Sequence, residues 1–232
     1  MTDQPSTPPA PEPKPKAPRA DQDQKIADRI ADTREKILIV QADPELQALL
    51  TVRGFDPERL LQGLDLQDAA QTAFNNRQTA IGAENDANAA FAAANAKARQ
   101  DNIDFRTTAR KIFKKDPAAQ ATLGVTGHIA ADAQKFVTDA RASYAAALGN
   151  AAYLTELALD GYIQTAMQSL VSGLDALQAA NTAQETAQAT AVRATQLRDA
   201  ADKTLAEWRS RFNTAATIAT RERPDLAAKL GL

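Results

Sequence analysis

His128 is the one histidine in this 232-residue chain, and there is no cysteine. Thiolate zinc sites, iron–sulfur clusters, disulfides and cysteine nucleophiles are therefore excluded, and too few ligands remain for a histidine-based metal centre. His128 follows Gly124-Val125-Thr126-Gly127 and has no Glu-x-x-His companion, so its expected role is structural. In that reading Thr126 caps the next helix and His128 sits in its first turn. The Gly124 to Gly127 spacing echoes the GxxG loop of some RNA-binding modules, but those modules need an accompanying sheet. Carboxylates such as Glu84 with Asp86, or Glu156 with Asp160, stand at ordinary spacings for solvated helix faces. No GxGxxG, GxxxxGKS/T or GxSxG run occurs. The sequence thus predicts no catalytic, cofactor-binding or metal-binding residue, no cofactor, and a protein that is not an enzyme.

Two polar groupings remain. Arg106, Arg110, Lys111, Lys114 and Lys115 gather at the end of one predicted long helix, and Arg209, Arg211, Arg221 and Arg223 near the end of another. Positive charge at a helix C-terminus is favourable against the macrodipole by a few tenths of a kcal/mol. An anion or nucleic-acid contact is the competing account, but the few aromatics interleaved there give it no strong signal. Arg77, Glu84, Asn88, Asn95 and Asn102 interrupt an apolar pattern and could line a small-ligand pocket between helices.

The elements that carry these residues follow from composition. Alanine supplies 52 of the 232 residues, against 9 glycines, and only four of the 11 prolines lie beyond residue 18. Alanine is the best helix former and glycine and proline the worst, so the body of the chain is expected to be all-α. Residues 1–20 hold the other seven prolines and almost nothing large and apolar, which predicts a disordered tail. It reads as a solvated spacer, or as a PxxP ligand through Pro8 to Pro11. The net charge of −2 gives no global pull toward nucleic acid or an anionic membrane. No apolar run approaches the roughly 18 residues of a transmembrane span, and no signal-peptide core is present, so a cytoplasmic location is expected.

Displacing the chain on itself by about 107 residues aligns Asp32 with Asp139, Arg34 with Arg141, Leu50 with Leu157 and Gly54 with Gly161. The same shift aligns Phe105 with Phe212, Pro117 with Pro224 and Gly124 with Gly231. This predicts a tandem duplication, residues 21–125 and 126–232, each copy a helical hairpin, the two forming one elongated four-helix bundle. In the first copy a helix spans about Gln24 to Gln41, Asp43-Pro44 starts a short continuation, and Gly54-Phe55-Asp56-Pro57 ends it and begins a long helix to about Lys115. The long helix of the second copy spans about Ile163 to Arg223, and Gly63 or Gly173 is a possible bend.

In these long helices Ala73, Ala80, Ala87 and Ala94 recur every seven residues, as do Ala180, Ala187, Ala194 and Ala201. That period favours a left-handed coiled-coil seam of close approach; the alternative is a neutral surface filled with good helix formers. The second seam position is assigned to Ala69, Ala83 and Ala90, and to Ala176, Ala183 and Leu197, with Asn76 and Thr190 as interruptions. Phe105, Ile112 and Phe113, and Leu205, Trp208, Phe212 and Ile218, are the expected core with Leu123 and Leu230.

The alanine- and glutamine-rich stretch Ala176 to Gln196 resembles in composition the helices of phasins, proteins that coat polyester granules. The resemblance implies an interfacial protein on a lipid or polymer surface. Such a surface needs a broad stripe of large apolar residues, which the alanine-dominated faces do not offer. The preferred expectation is a non-enzymatic structural or protein-interaction bundle with a protein partner, self or other, and possible homo-oligomers. A phasin-like coat and a small-ligand sensor are the alternatives.

Overall fold

The computed structural model describes residues 19–232. Every regular element among them is an α-helix: α1 (Arg19–Ala42), α2 (Pro44–Thr51), α3 (Pro57–Ile112), α4 (Pro117–Thr122), α5 (Ala133–Leu148), α6 (Ala151–Ala158), α7 (Gln164–Ala219) and α8 (Pro224–Lys229). No described helix is long and apolar enough to cross a membrane. The expected Pro-rich tail lies outside the described residues, except that Arg19 and Ala20 already belong to α1.

Local chemistry sets the boundaries. Asp43 accepts from the Glu45 and Leu46 amides ahead of Pro44, and Asn150 accepts from those of Ala152 and Tyr153. Asp116 accepts from the Ala119 amide ahead of Pro117. These side chains satisfy amides that a helix start leaves without partners, and proline at the first position gives up a donor that has none to lose. Gly54 and Gly161 close α2 and α6 at φ values of 79° and 91°, a region that side-chain-bearing residues rarely enter. The bounds recur along the chain. α2, α3 and α4 begin at residues 44, 57 and 117, and α6, α7 and α8 at 151, 164 and 224, a constant offset of 107.

The chain forms two compact units, each drawing on both halves of the sequence. The first takes residues up to Asn75 together with Gln196–Leu232, and the second takes Asn76–Thr195. In the first, Ile37, Leu46, Leu50, Phe55, Leu60, Trp208, Phe212 and Leu230 form a core. Phe55 meets Trp208 and Phe212 edge-on at 5.6 and 5.5 Å, and Trp208 stacks on Phe212 at 5.3 Å. The indole fits because residue 63 is glycine: a Cβ there would fall 2.3 Å from Trp208 and 2.9 Å from Ile37. Gly63 therefore marks a close approach, and α3 continues through it. In the second unit Phe105, Leu123, Phe136, Tyr144, Leu157, Met167, Leu174 and Leu177 are the core. Phe105 there meets Tyr144 and Tyr162 edge-on, and Phe113 meets Tyr153.

Three expectations need correction. Ile218, expected in the core, is 39% exposed. Thr126 caps no helix: α5 begins at Ala133, with Asp132 accepting from the Lys135 amide, so His128 lies in a non-helical loop. The eight seam alanines are all buried or half-buried, but Ala69, Ala83, Ala90, Ala176, Ala183 and Leu197 are exposed. The second inward position is one residue later, at Ala70, Arg77, Glu84, Phe91 and Ala98, and at Leu177, Gln184, Ala191, Arg198 and Leu205. Steps of three and four residues both keep a helix face, so alanine alone leaves the choice open. Phe91, Leu177 and Leu205 decide it, because their larger apolar area gains more from burial than a methyl group.

Candidate functional site

Arg99, Arg106 and Arg110 rise from one face of α3 in the second unit and hold the loop between α4 and α5 by its carbonyls. Arg99 donates to Ala130 and Ala131 at 2.7 Å each, and its guanidinium lies 4.6 Å from the Phe136 ring centroid. Arg106 donates through Nη2 to Val125, Thr126 and Gly127, and Arg110 to Val125. From below, the Ser143 hydroxyl donates to the Leu123 carbonyl. With these carbonyls engaged, and Gly127 at φ 86°, residues 125–131 cannot start a helix.

Beneath this loop is a chamber of about 20 Å³ lined in part by Asn102, Arg106, His128, Asp139 and Ser143. That is room for one water molecule. Arg106 is 8% exposed and its Nε has no hydrogen-bond partner among the described residues. Burial, with Arg110 nearby, pushes the pKa of its guanidinium down, and Asp139 opposes the shift. Asn102 donates to the Tyr144 hydroxyl at 3.2 Å, and burial raises that phenol to about 12. The chamber can hold a loop and a water in place; it is too small to admit an organic substrate.

Two open grooves are larger. In the second unit Ala80, Ala83, Ala179, Thr182, Ala183, Thr186, Ala187 and Thr190 line a groove of about 620 Å³ on α3 and α7. Its floor is almost entirely methyl groups, because the threonine hydroxyls of Thr182, Thr186 and Thr190 turn back onto carbonyls four residues earlier. In the first unit a groove of about 390 Å³ runs between Arg53, Arg59 and Arg211 over Phe55, Ala215 and Ile218. Arg59 lies 4.4 Å above the Phe55 ring and donates to the Gly54 carbonyl.

Of the residues singled out from sequence, Asn102, Arg106 and His128 meet at the chamber, and the rest are dispersed. Arg106 and Arg110 turn to the loop, while Lys111, Lys114 and Lys115 stay exposed. Arg209 pairs with Asp32, and Arg223 with Glu45 and Asp225. Arg77 and Asn102 are buried, Glu84 and Asn95 half-buried, and Asn88 is exposed, where it accepts from Gln184. Of this polar series Asn102 lines the chamber, beside Arg106 and His128, and Arg77, Glu84, Asn88 and Asn95 do not. Among the described residues no group of three or more histidines or carboxylates is placed to hold a metal ion. Arg53, Arg59 and Arg99 escaped the sequence reading. Phe55 and Arg59, four residues apart, were the available signal for the first groove, whereas nothing local marks Arg99.

No protein-family model, no curated protein and no solved structure matches this chain.

Proposed function

We propose that this chain is a non-catalytic protein-interaction module, descended from a tandem duplication of a helical hairpin over residues 21–125 and 126–232, that grips a partner helix in the alanine and threonine groove of its second unit. Duplication is supported by the constant offset of the helix bounds and by matched details. Arg34 pairs with Asp68 and Arg141 with Asp175, both contacts moving together by the same 107 positions. The turns at Gly54 and Gly161 share left-handed backbone and the same return hydrogen bond, from Phe55 to Leu50 and from Tyr162 to Leu157.

The observation that carries the interaction reading is the groove itself: about 620 Å³, open, and floored by methyl groups. Small side chains let a second helix backbone approach closely, and its larger apolar residues fill the space between them. A lipid or polymer surface would be served by large apolar side chains instead, which favours a helix over a phasin-like coat.

The test places a charge in the groove. Ala83 and Ala183 are exposed, so Ala83→Glu and Ala183→Glu should leave helicity by circular dichroism unchanged. Cross-linking in extract of the source cells should join a partner to the wild-type chain and lose it with both variants. An identical cross-linked set for all three proteins would overturn the reading.

A further inference from the structure

The 107-residue offset brings the cationic groove of the first unit into register with a surface of opposite charge in the second. Arg53 corresponds to Asp160 and Arg211 to Asp104. Both turns carry an almost fully exposed aliphatic residue at the same position, Val52 at 81% and Leu159 at 80%. The two surfaces therefore share the turn and its exposed aliphatic residue and differ in charge; the groove's Phe55, Ala215 and Ile218 are replaced by Tyr162, Thr108 and Lys111. Among the described residues no carboxylate lines the groove at Arg53, Arg59 and Arg211. Asp104 and Asp160 are exposed, and Asp104 is close enough to act electrostatically on the Tyr162 phenol, the counterpart of Phe55. Lys111 stands where the groove has Ile218, which leaves the carboxylates in excess.

Arg53, Arg211 and Asp160 form no ion pair among the described residues, and Asp104 accepts only from Gln100. Elsewhere the protein does pair its arginines, as in Arg29 with Asp202 and Arg209 with Asp32. An exposed aliphatic residue next to arginines that form no ion pair, with carboxylates at the equivalent positions of the other surface, makes the two surfaces complementary.

We propose that a second copy of this chain docks here, the Arg53, Arg59 and Arg211 groove of one molecule receiving the Asp104 and Asp160 surface of another. The contact uses neither the alanine groove nor its partner, so it stands apart from the function proposed above. It joins unlike surfaces, so each added copy leaves one of each free, and association continues beyond a dimer unless a ring closes.

Sedimentation velocity of the full chain tests this. The weight-average mass should rise with concentration at low salt and fall back at high salt, where exposed charges are screened. Arg211→Asp and Asp104→Arg, both on exposed helix positions, should each remain monomeric, with self-affinity down about tenfold or more. Mixing the two variants in equal amounts should restore association, because each then presents the charge the other lacks. Ala83→Glu should associate like the wild type. The proposal is overturned if the wild-type chain stays monomeric, if either reversal alone associates normally, or if the mixture fails to recover. It is also overturned if Ala83→Glu is the variant that abolishes association, or if a monomeric wild-type chain binds heparin through Arg211 in place of a second copy.

Discussion

Gly63 and Tyr144 show how single side chains set local limits. Gly63→Ala would drive a methyl group into a rigid, buried indole, and overpacking of this kind costs about 1–3 kcal/mol, of which the better helix propensity of alanine returns about 1. A lower urea midpoint and a shifted Trp208 emission are the expected outcome. Tyr144 makes stability depend on alkaline pH. An ordinary phenol loses its proton near pH 10, whereas burial holds Tyr144 to about 12. Below pH 10 both folded and unfolded chains keep the proton, and the full stability is present. Between pH 10 and about 12 only the unfolded chain releases it, so stability falls as pH rises. Tyr144→Phe should cost about 1 kcal/mol at neutral pH by losing the Asn102 hydrogen bond. It should also flatten the decline above pH 10, as read from denaturant midpoints across that range.

At the scale of elements, the loop before α5 depends on contacts far away in sequence. Arg99→Met would remove two carbonyl bonds and the cation over Phe136 while keeping an unbranched apolar stem. Proteolysis within residues 123–132 should then become faster, with little change in helicity. Asp132→Ala should cost about 1 kcal/mol as a lost helix cap, and the Lys135 amide should exchange sooner. The same loop explains what the sequence left hidden. The starts at Pro44 and Pro57 were readable because cap, proline and glycine are neighbours in the chain, whereas the sequence reading takes Pro117 only as the stop of the long helix and misses the short α4 that it opens. Thr126 offered an equally good local cap, but its own carbonyl is held by Arg106 from 20 residues upstream, and no short-range pattern carries that information. The alanine line was readable as a seven-residue period. Its companion was misplaced by one residue because Ala69, Ala83 and Ala90 match the period as well as Ala70, Glu84 and Phe91 do, and only side-chain area separates them. The grooves are a similar case: Arg53 and Arg211 are brought together by folding from opposite halves of the sequence.

At the scale of the whole molecule, α3 and α7 each contribute residues to both compact units without a break. Helix formation is cooperative along a continuous segment, so loss of one unit removes the ordered neighbours from the helices of the other. Urea unfolding should therefore be a single two-state transition. The distribution of aromatic residues supplies the means to check it. The one tryptophan, Trp208, lies in the first unit, and all three tyrosines, Tyr144, Tyr153 and Tyr162, lie in the second. Exciting the indole alone follows one unit, and tyrosine absorbance follows the other, with no dye or label attached. The chain thus carries a separate optical gauge in each unit, and a gap between the two melting curves would measure how far one can loosen while its neighbour holds.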